Sequence, residues 1–324
     1  MPSEDEEYRD FCKQFTKERI PLGYSLTEMK KVAVPFNQLS SMSLYFGNAF
    51  GKQFIWENLL IAAEMNHMEL IVVKQMSSSF FNDRERVRQY FKGKVKVYES
   101  SVDDLVELDK QICYELVQER KVFRDEYCQM HDIPTTDVVE RLKASKYIRE
   151  RTVPVLIIFE RFIELFNLLK DEEIISGDYQ RIFERTRGYN FYFVGGFTSD
   201  DAQMSDAALL KSFNKDEFSL LFGGKYDKQQ VIANLPNDLR RKVEEEKDYR
   251  KFVMKYQNGY YSMRMPSGAL KEKDSDPDDE PIIESAEERA EREAIYNVDD
   301  DDLKPDTDDD SNNQSPNKPT KPKM

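Results

Sequence analysis

Histidine, cysteine and tryptophan are scarce in this chain, with two, three and one among 324 residues. Neither histidine, His67 or His131, accompanies a nucleophile-elbow pattern, so a histidine-based triad finds no support and both read as structural or surface residues. The cysteines, Cys12, Cys113 and Cys128, stand far apart in an odd number and without CxxC or CxxH spacing. That argues against a disulfide framework or a structural zinc site and fits a reducing compartment. Long apolar runs are missing too. The longest, Val153-Pro-Val-Leu-Ile-Ile-Phe159, falls well short of the ~20 residues that cross a bilayer. Met1 is followed by an acidic, polar run, which predicts no secretory leader and a cytosolic chain.

A basic surface is lacking as well. The formal net charge is −14, but residues 272–310 hold 19 acidic and 4 basic side chains and the last fourteen residues add three lysines. Residues 1–271 are left at about −2. The body of the chain is nearly neutral, which speaks against a nucleic-acid surface. The tail cannot bury enough apolar surface to offset its ordering entropy and reads as disordered. Within it, residues 284–296 carry helical spacing (Ile283, Ala286, Ala290, Ala294) and could fold on a partner. The tail otherwise reads as a solubilising end or as an electrostatic competitor for basic partners.

What is present is an alternation of apolar strands and amphipathic helices. Residues 1–19 read as a charged lead-in helix, Ile20-Pro-Leu-Gly23 as a turn and residues 31–36 as extended. Buried strands are expected at 68–74, 94–98, 153–159, 190–194 (stopping at Gly195-Gly196) and 218–222 (stopping at Gly223-Gly224). Ser101-Val-Asp-Asp104 has a capping-box pattern and opens a helix to about Gln129, with Leu105, Leu108, Ile112 and Leu116 in one stripe. Further helices are expected at 51–66, 136–149, 160–169 and 177–187, and Asn258-Gly259 marks a hairpin before 260–265. Strands and helices in this order predict an α/β fold with a mostly parallel sheet covered on both faces. Ligands in such sheets sit at the carboxyl ends of the strands.

One stretch there has the layout of a phosphate cradle: Met42-Ser-Leu-Tyr-Phe-Gly-Asn-Ala-Phe-Gly-Lys-Gln-Phe54. A short strand leads to a glycine-bounded loop, and Lys52 opens a helix, so backbone N–H groups and a point charge would face an anion. The usual spacing is G-x-x-x-x-G-K-[ST]. Here only Asn48, Ala49 and Phe50 separate Gly47 from Gly51, and Gln53 offers an amide where magnesium needs a small, hard oxygen ligand.

The ordered set of segments resembles an FtsK/SpoIIIE-type P-loop motor domain, and within that superfamily the last ATPase module of the type VII (ESX, EssC/EccC-type) secretion motor, over roughly residues 18–268. Ile20-Pro-Leu-Gly23 is similar to the family's opening segment, and Ser43-Leu-Tyr-Phe-Gly47 through Lys52 falls where its Walker A motif belongs. Leu156-Ile-Ile-Phe-Glu-Arg-Phe-Ile-Glu-Leu165 resembles its Walker B segment. Gly188-Tyr-Asn-Phe-Tyr-Phe-Val194, Leu221-Phe-Gly-Gly224 and Gly259-Tyr-Tyr261 are similar to three later strands. The resemblance implies a three-layer P-loop NTPase fold at residues 20–271, between a lead-in helix at 1–19 and an acidic tail at 272–324.

Aligned on Phe162 and Leu165, the two Walker B acidic positions hold Glu160 and Arg161. Glu160 would reach a metal from one methylene further out, and Arg161 cannot accept a proton at neutral pH. Losing a general base alone typically costs ~10²–10⁴ in rate. The expectation is therefore no catalytic residue and no resident metal, with a degenerate nucleotide or substrate pocket made of Gly47, Gly51, Lys52, Gln53, Glu160 and Arg161. ATP with magnesium could still bind there without turnover. The partners implied are other modules or subunits of a secretion motor and small WXG-type secreted proteins. No nucleic acid and no direct membrane span are expected, and location would be cytoplasmic, at the inner face of the membrane when a secretion complex recruits the chain. The alternatives are a weak or working ATPase module and a DNA translocase module.

Overall fold

The computed structural model describes residues 19–28, 30–35, 41–46, 52–75, 78–134, 142–162, 182–198, 213, 218–224, 235–248, 250–256 and 259–265. The chain divides into two compact units, Met1–Glu280 and Pro281–Met324, and all of these residues belong to the first.

A ten-stranded sheet runs through this unit in the order β2-β1-β10-β9-β8-β3-β7-β6-β4-β5. Its parallel part consists of β8 (Ser219–Phe222), β3 (Ser41–Phe46), β7 (Phe191–Thr198), β6 (Val155–Phe159), β4 (Glu69–Lys74) and β5 (Val95–Glu99). Beyond β8 the pairing turns antiparallel through β9 (Lys251–Tyr256), β10 (Gly259–Arg264), β1 (Arg19–Ser25) and β2 (Lys31–Pro35). The expected mostly parallel α/β sheet is what the molecule shows.

Both faces are buried, and this explains why the central strands read as unbroken apolar runs. All residues of β3 and β6 are buried. On one face Leu44, Leu70, Val72, Leu156 and Ile158 pack under α1 (Lys52–Met65), α2 (Ser79–Asn82) and α3 (Arg84–Tyr90). On the other, Tyr45, Ile71, Val73, Ile157 and Phe159 meet one long helix that turns from α4 (Val102–Asp109) through a π-helical segment (Lys110–Leu116) into α5 (Val117–Met130), with α6 (Ser145–Arg149) beside it. A period of two along each strand thus divides one sheet between two cores. Ser101 caps the helix, since the Asp104 N–H donates to Ser101 Oγ at 3.3 Å, but the Asp104 carboxylate accepts from the Glu99 N–H and the Ser101 N–H donates to the Glu99 carbonyl, so only half of the capping box forms.

Four expectations are corrected. Ile20-Pro-Leu-Gly23 is not a turn but lies inside β1, where a register shift between Pro21 and Gly23 accommodates both turn-formers between two antiparallel neighbours. β7 does not stop at Gly195-Gly196 but continues to Thr198. Those glycines are set by packing: a Cβ on Gly195 would lie 2.9 Å from Phe213 and 3.2 Å from Phe162, and one on Gly196 would collide with the backbone carbonyl of Glu160. Residue 19 is extended rather than helical. After β6, Glu160 and Arg161 form a turn before Phe162 becomes helical. The lead-in helix at 1–18, residues 163–169 and the hairpin turn at 257–258 lie outside the described residues. So do parts of the helices at 136–149 and 177–187, whose described residues are helical at 142–143, Ser145–Arg149 and 182–186. The sequence pattern also missed α2, α3, β9 and α7 (Asn237–Glu245).

Candidate functional site at the carboxyl ends of β3, β7, β6 and β4

Outgoing connections from β3 and β7 leave in opposite directions: β3 is followed by β4, three places along on the β7 side, and β7 by β8 on the far side of β3. This is a topological switch point, where open α/β sheets form ligand crevices. The glycine-bounded loop leaves β3 here. Gly47 and Gly51 lie outside the described residues, and Lys52 and Gln53 form the first turn of α1. Further along α1 Trp56 is fully buried, 6.0 Å from Phe46 and 5.8 Å from Phe81 between ring centroids. These aromatic contacts fix the end of β3 against α1 and α2.

Glu160 and Arg161 follow β6, which β7 separates from β3. Phe159 is in register with Val73 on one side and Gly195 on the other, so Glu160, the first residue of the turn, emerges between the chain after Val73 and the chain after Gly195. Its N–H donates to the Val73 carbonyl at 3.0 Å. Its carboxylate accepts from the Gln75 N–H at 3.0 Å and from the Ser78 hydroxyl at 2.8 Å. Ser78 is the N-cap of α2 and its Oγ in turn accepts from the Phe81 N–H at 3.1 Å. One oxygen of Glu160 therefore holds the loop after β4 and the other holds the cap of the next helix. Arg161 donates from Nη2 to Thr198 Oγ1 at 3.4 Å. Thr198 pairs in register with Phe46, the last residue of β3, so the guanidinium extends over the end of β7 toward the strand that carries the loop.

A carboxylate bound to two donors and followed by a guanidinium can orient loops and attract an anion. Arg161 offers no acceptor for a proton from an attacking water. Among the described residues no group of three or more His, Cys, Asp or Glu could hold a metal ion, and no helix is long and apolar enough to cross a membrane. The structure brings Glu160 and Arg161 together with Ser78, Gln75, Gly196 and Thr198, none of which the sequence had marked as part of the site. Ser78 carried a readable signal, since a serine ahead of Phe80-Phe81 fits an N-cap.

No family model and no curated protein matches the chain. Solved structures do. The cytoplasmic domain of EssC superposes with a TM-score of 0.57 at 13% identity, over 82% of this chain and 48% of that one. EssC (ATPases 2 and 3) from Geobacillus thermodenitrificans gives 0.55 at 13%, over 82% and 45%. Thermomonospora curvata EccC (ATPases 2 and 3) in complex with a signal sequence peptide gives 0.54 at 9%, over 82% and 42%. The chain thus spans less than half the length of each. Switch point, sheet order and superposition agree that its fold is that of a P-loop ATPase module of the FtsK/SpoIIIE type, resembling those of EssC and EccC.

Proposed function

We propose that the chain is a non-hydrolysing motor-fold module of a type VII secretion motor, acting in the cytoplasm by binding a partner and regulating the motor. The observation that carries this reading is the engagement of Glu160. Both carboxylate oxygens take part in hydrogen bonds that order the loop after β4 and the start of α2. The side chain at the metal-holding position is thereby recruited to structure, and Arg161 follows it where a base would stand. The partners proposed are other modules or subunits of the motor and small WXG-type secreted proteins. A signal sequence peptide bound to the similar EccC structure supports the second class.

The test uses the purified full chain in two titrations, one with MgATP and one with the C-terminal peptide of a co-encoded WXG-type protein, alongside phosphate release. Peptide binding without phosphate release is the expected result. Brisk hydrolysis combined with no peptide binding would sink the proposal. A second reading, nucleotide binding without turnover, is favoured by the placement of Lys52 at the start of α1. It predicts a melting shift in millimolar MgATP that follows RT ln(1 + [L]/Kd). An unmoved melting curve would dispose of it.

A further inference from the structure

β5 is the last strand on its side of the sheet and pairs with β4 alone. The Lys94 carbonyl accepts from the Leu70 N–H at 3.1 Å, and the Ser100 N–H donates to the Lys74 carbonyl at 3.1 Å. In this parallel ladder the even-numbered residues of β5 therefore turn their backbone groups to β4, and the odd-numbered ones turn theirs outward. Glu99 fits that phase, since its N–H reaches away from β4 to Asp104 Oδ2 at 2.5 Å. The N–H and C=O groups of Val95 and Val97 are left without a partner among the described residues. Both ends of this open edge are held. Glu64 Oε2 accepts from the Lys92 and Gly93 N–H groups at 2.8 and 3.3 Å before it, and Asp104 closes it at Glu99. Between them lies an unbulged edge that offers two donors and two acceptors.

Positive charge gathers along the same edge. Residues 84–96 hold six basic side chains and one acidic one, in a body that is otherwise short of basic surface. Arg86 is paired with Glu57 of α1 at 3.4 Å. Arg84, Arg88, Lys92, Lys94 and Lys96 make no ion pair with any described residue. Four residues apart, Arg84 and Arg88 share one side of α3, about 160° round from Arg86. Because Arg86 faces inward to α1, that side is turned out over the open edge. Val95 packs against the same layer, and Val97, two residues on and 48% exposed, points the same way. On the opposite face of β5 the charge changes sign with Asp103, Asp104 and Glu107 of α4.

The geometry points to β5 as the docking edge for an extended acidic segment of a partner protein, which pairs with Val95 and Val97 and brings carboxylates to Arg84 and Arg88. Donors and acceptors alternating at this spacing are answered by the backbone of another strand. A nucleic-acid phosphate chain only accepts hydrogen bonds and would leave both carbonyls unanswered, and a duplex laid on the edge would also meet the carboxylates of α4. A second copy, edge to edge, would set these cations against their own kind. Lysines on an edge ordinarily keep neutral strands away. Here the same charges also select the strand that is admitted.

Titration of the full chain with a short peptide alternating glutamate and valine tests this, beside the same peptide with lysine for glutamate and a short single-stranded oligothymidine. Binding of the acidic peptide alone, with slowed amide exchange at Val95 and Val97, is the expected result. The double variant Arg84→Glu, Arg88→Glu should weaken it at least ~10-fold, the order of effect for reversing two surface pairs. Its melting temperature should stay put, because neither arginine has an ion pair to lose. Val97→Pro removes an outward N–H that β4 does not use, at the kind of position where an edge strand tolerates proline, and should abolish binding. Failure of the acidic peptide to bind, equal binding of the two peptides, tighter binding of the oligothymidine, a complex that survives both variants, or one without protection at residues 95 and 97 would each overturn the proposal.

Discussion

The two ends of β6 are each braced by one charged side chain that hydrogen-bonds to neutral groups. At the carboxyl end Glu160 accepts from the Gln75 N–H and the Ser78 hydroxyl. At the amino end Arg120, which is 4% exposed, donates to the Val153 carbonyl at 2.8 Å and to the Leu116 carbonyl at 3.0 Å. Its guanidinium lies 4.7 Å from the centre of the Phe191 ring. Burial lowers the Arg120 pKa, offset in part by the charges of Glu119 and Glu69. Asn190, at φ 66°, completes the amino end by donating to the Thr152 carbonyl at 3.1 Å. The difference lies in position. A charge at the carboxyl end of a parallel strand invites a chemical reading, and one at the amino end a structural reading. The hydrogen bonds give each of them a mechanical task. What a charged strand-end residue does is decided by its partners rather than by the end it occupies.

Three substitutions break or sharpen that comparison. Arg120→Ala removes two charge-assisted hydrogen bonds and a cation–ring contact from a dry site, and should destabilise the fold by roughly 3–5 kcal/mol. Denaturant unfolding checks it, and a loss below 1 kcal/mol would show that the amino end is braced elsewhere. Gly196→Ala drives a methyl group into the Glu160 carbonyl and should cost about 2–3 kcal/mol, because backbone on both sides must move. An unchanged midpoint would mean that the two strand ends separate easily. Glu160→Ala should cost about 1–2 kcal/mol, with faster hydrogen exchange at Gln75 and through α2 and with unchanged phosphate release. A loss of ATP turnover with no loss of stability would return Glu160 to a catalytic role.

How much of this was legible depends on the period and the punctuation of the sequence. Residues 155–159 and 70–73 are apolar throughout and rich in β-branched side chains, the pattern expected of strands buried on both faces. The helix from Ser101 was readable from its cap and its leucine stripe. Failures came where a local signal was outvoted by tertiary context. Pro21 and Gly23 look like a turn, yet a bulge between antiparallel neighbours absorbs them. Gly195-Gly196 looks like a stop, yet the glycines admit the turn after β6. The π segment left no mark because its seven residues keep an ordinary helical composition. At the site, Glu160 and Arg161 were found through the resemblance of residues 156–165 to a Walker B segment, aligned on Phe162 and Leu165. Gln75 was invisible because its contribution is a backbone N–H.

The hydrogen bond from Ser78 to Glu160 also bears on history. On the proposed reading, an aspartate at position 160 would restore the shorter carboxylate suited to a metal, but would draw it back from Ser78 and loosen the start of α2. Repair of the chemistry would begin with damage to the scaffold, and a second change near Ser78 would have to come first. On that reading no single substitution at position 160 would restore catalysis, because it would give up a helix contact while Arg161 still stood in place of the base.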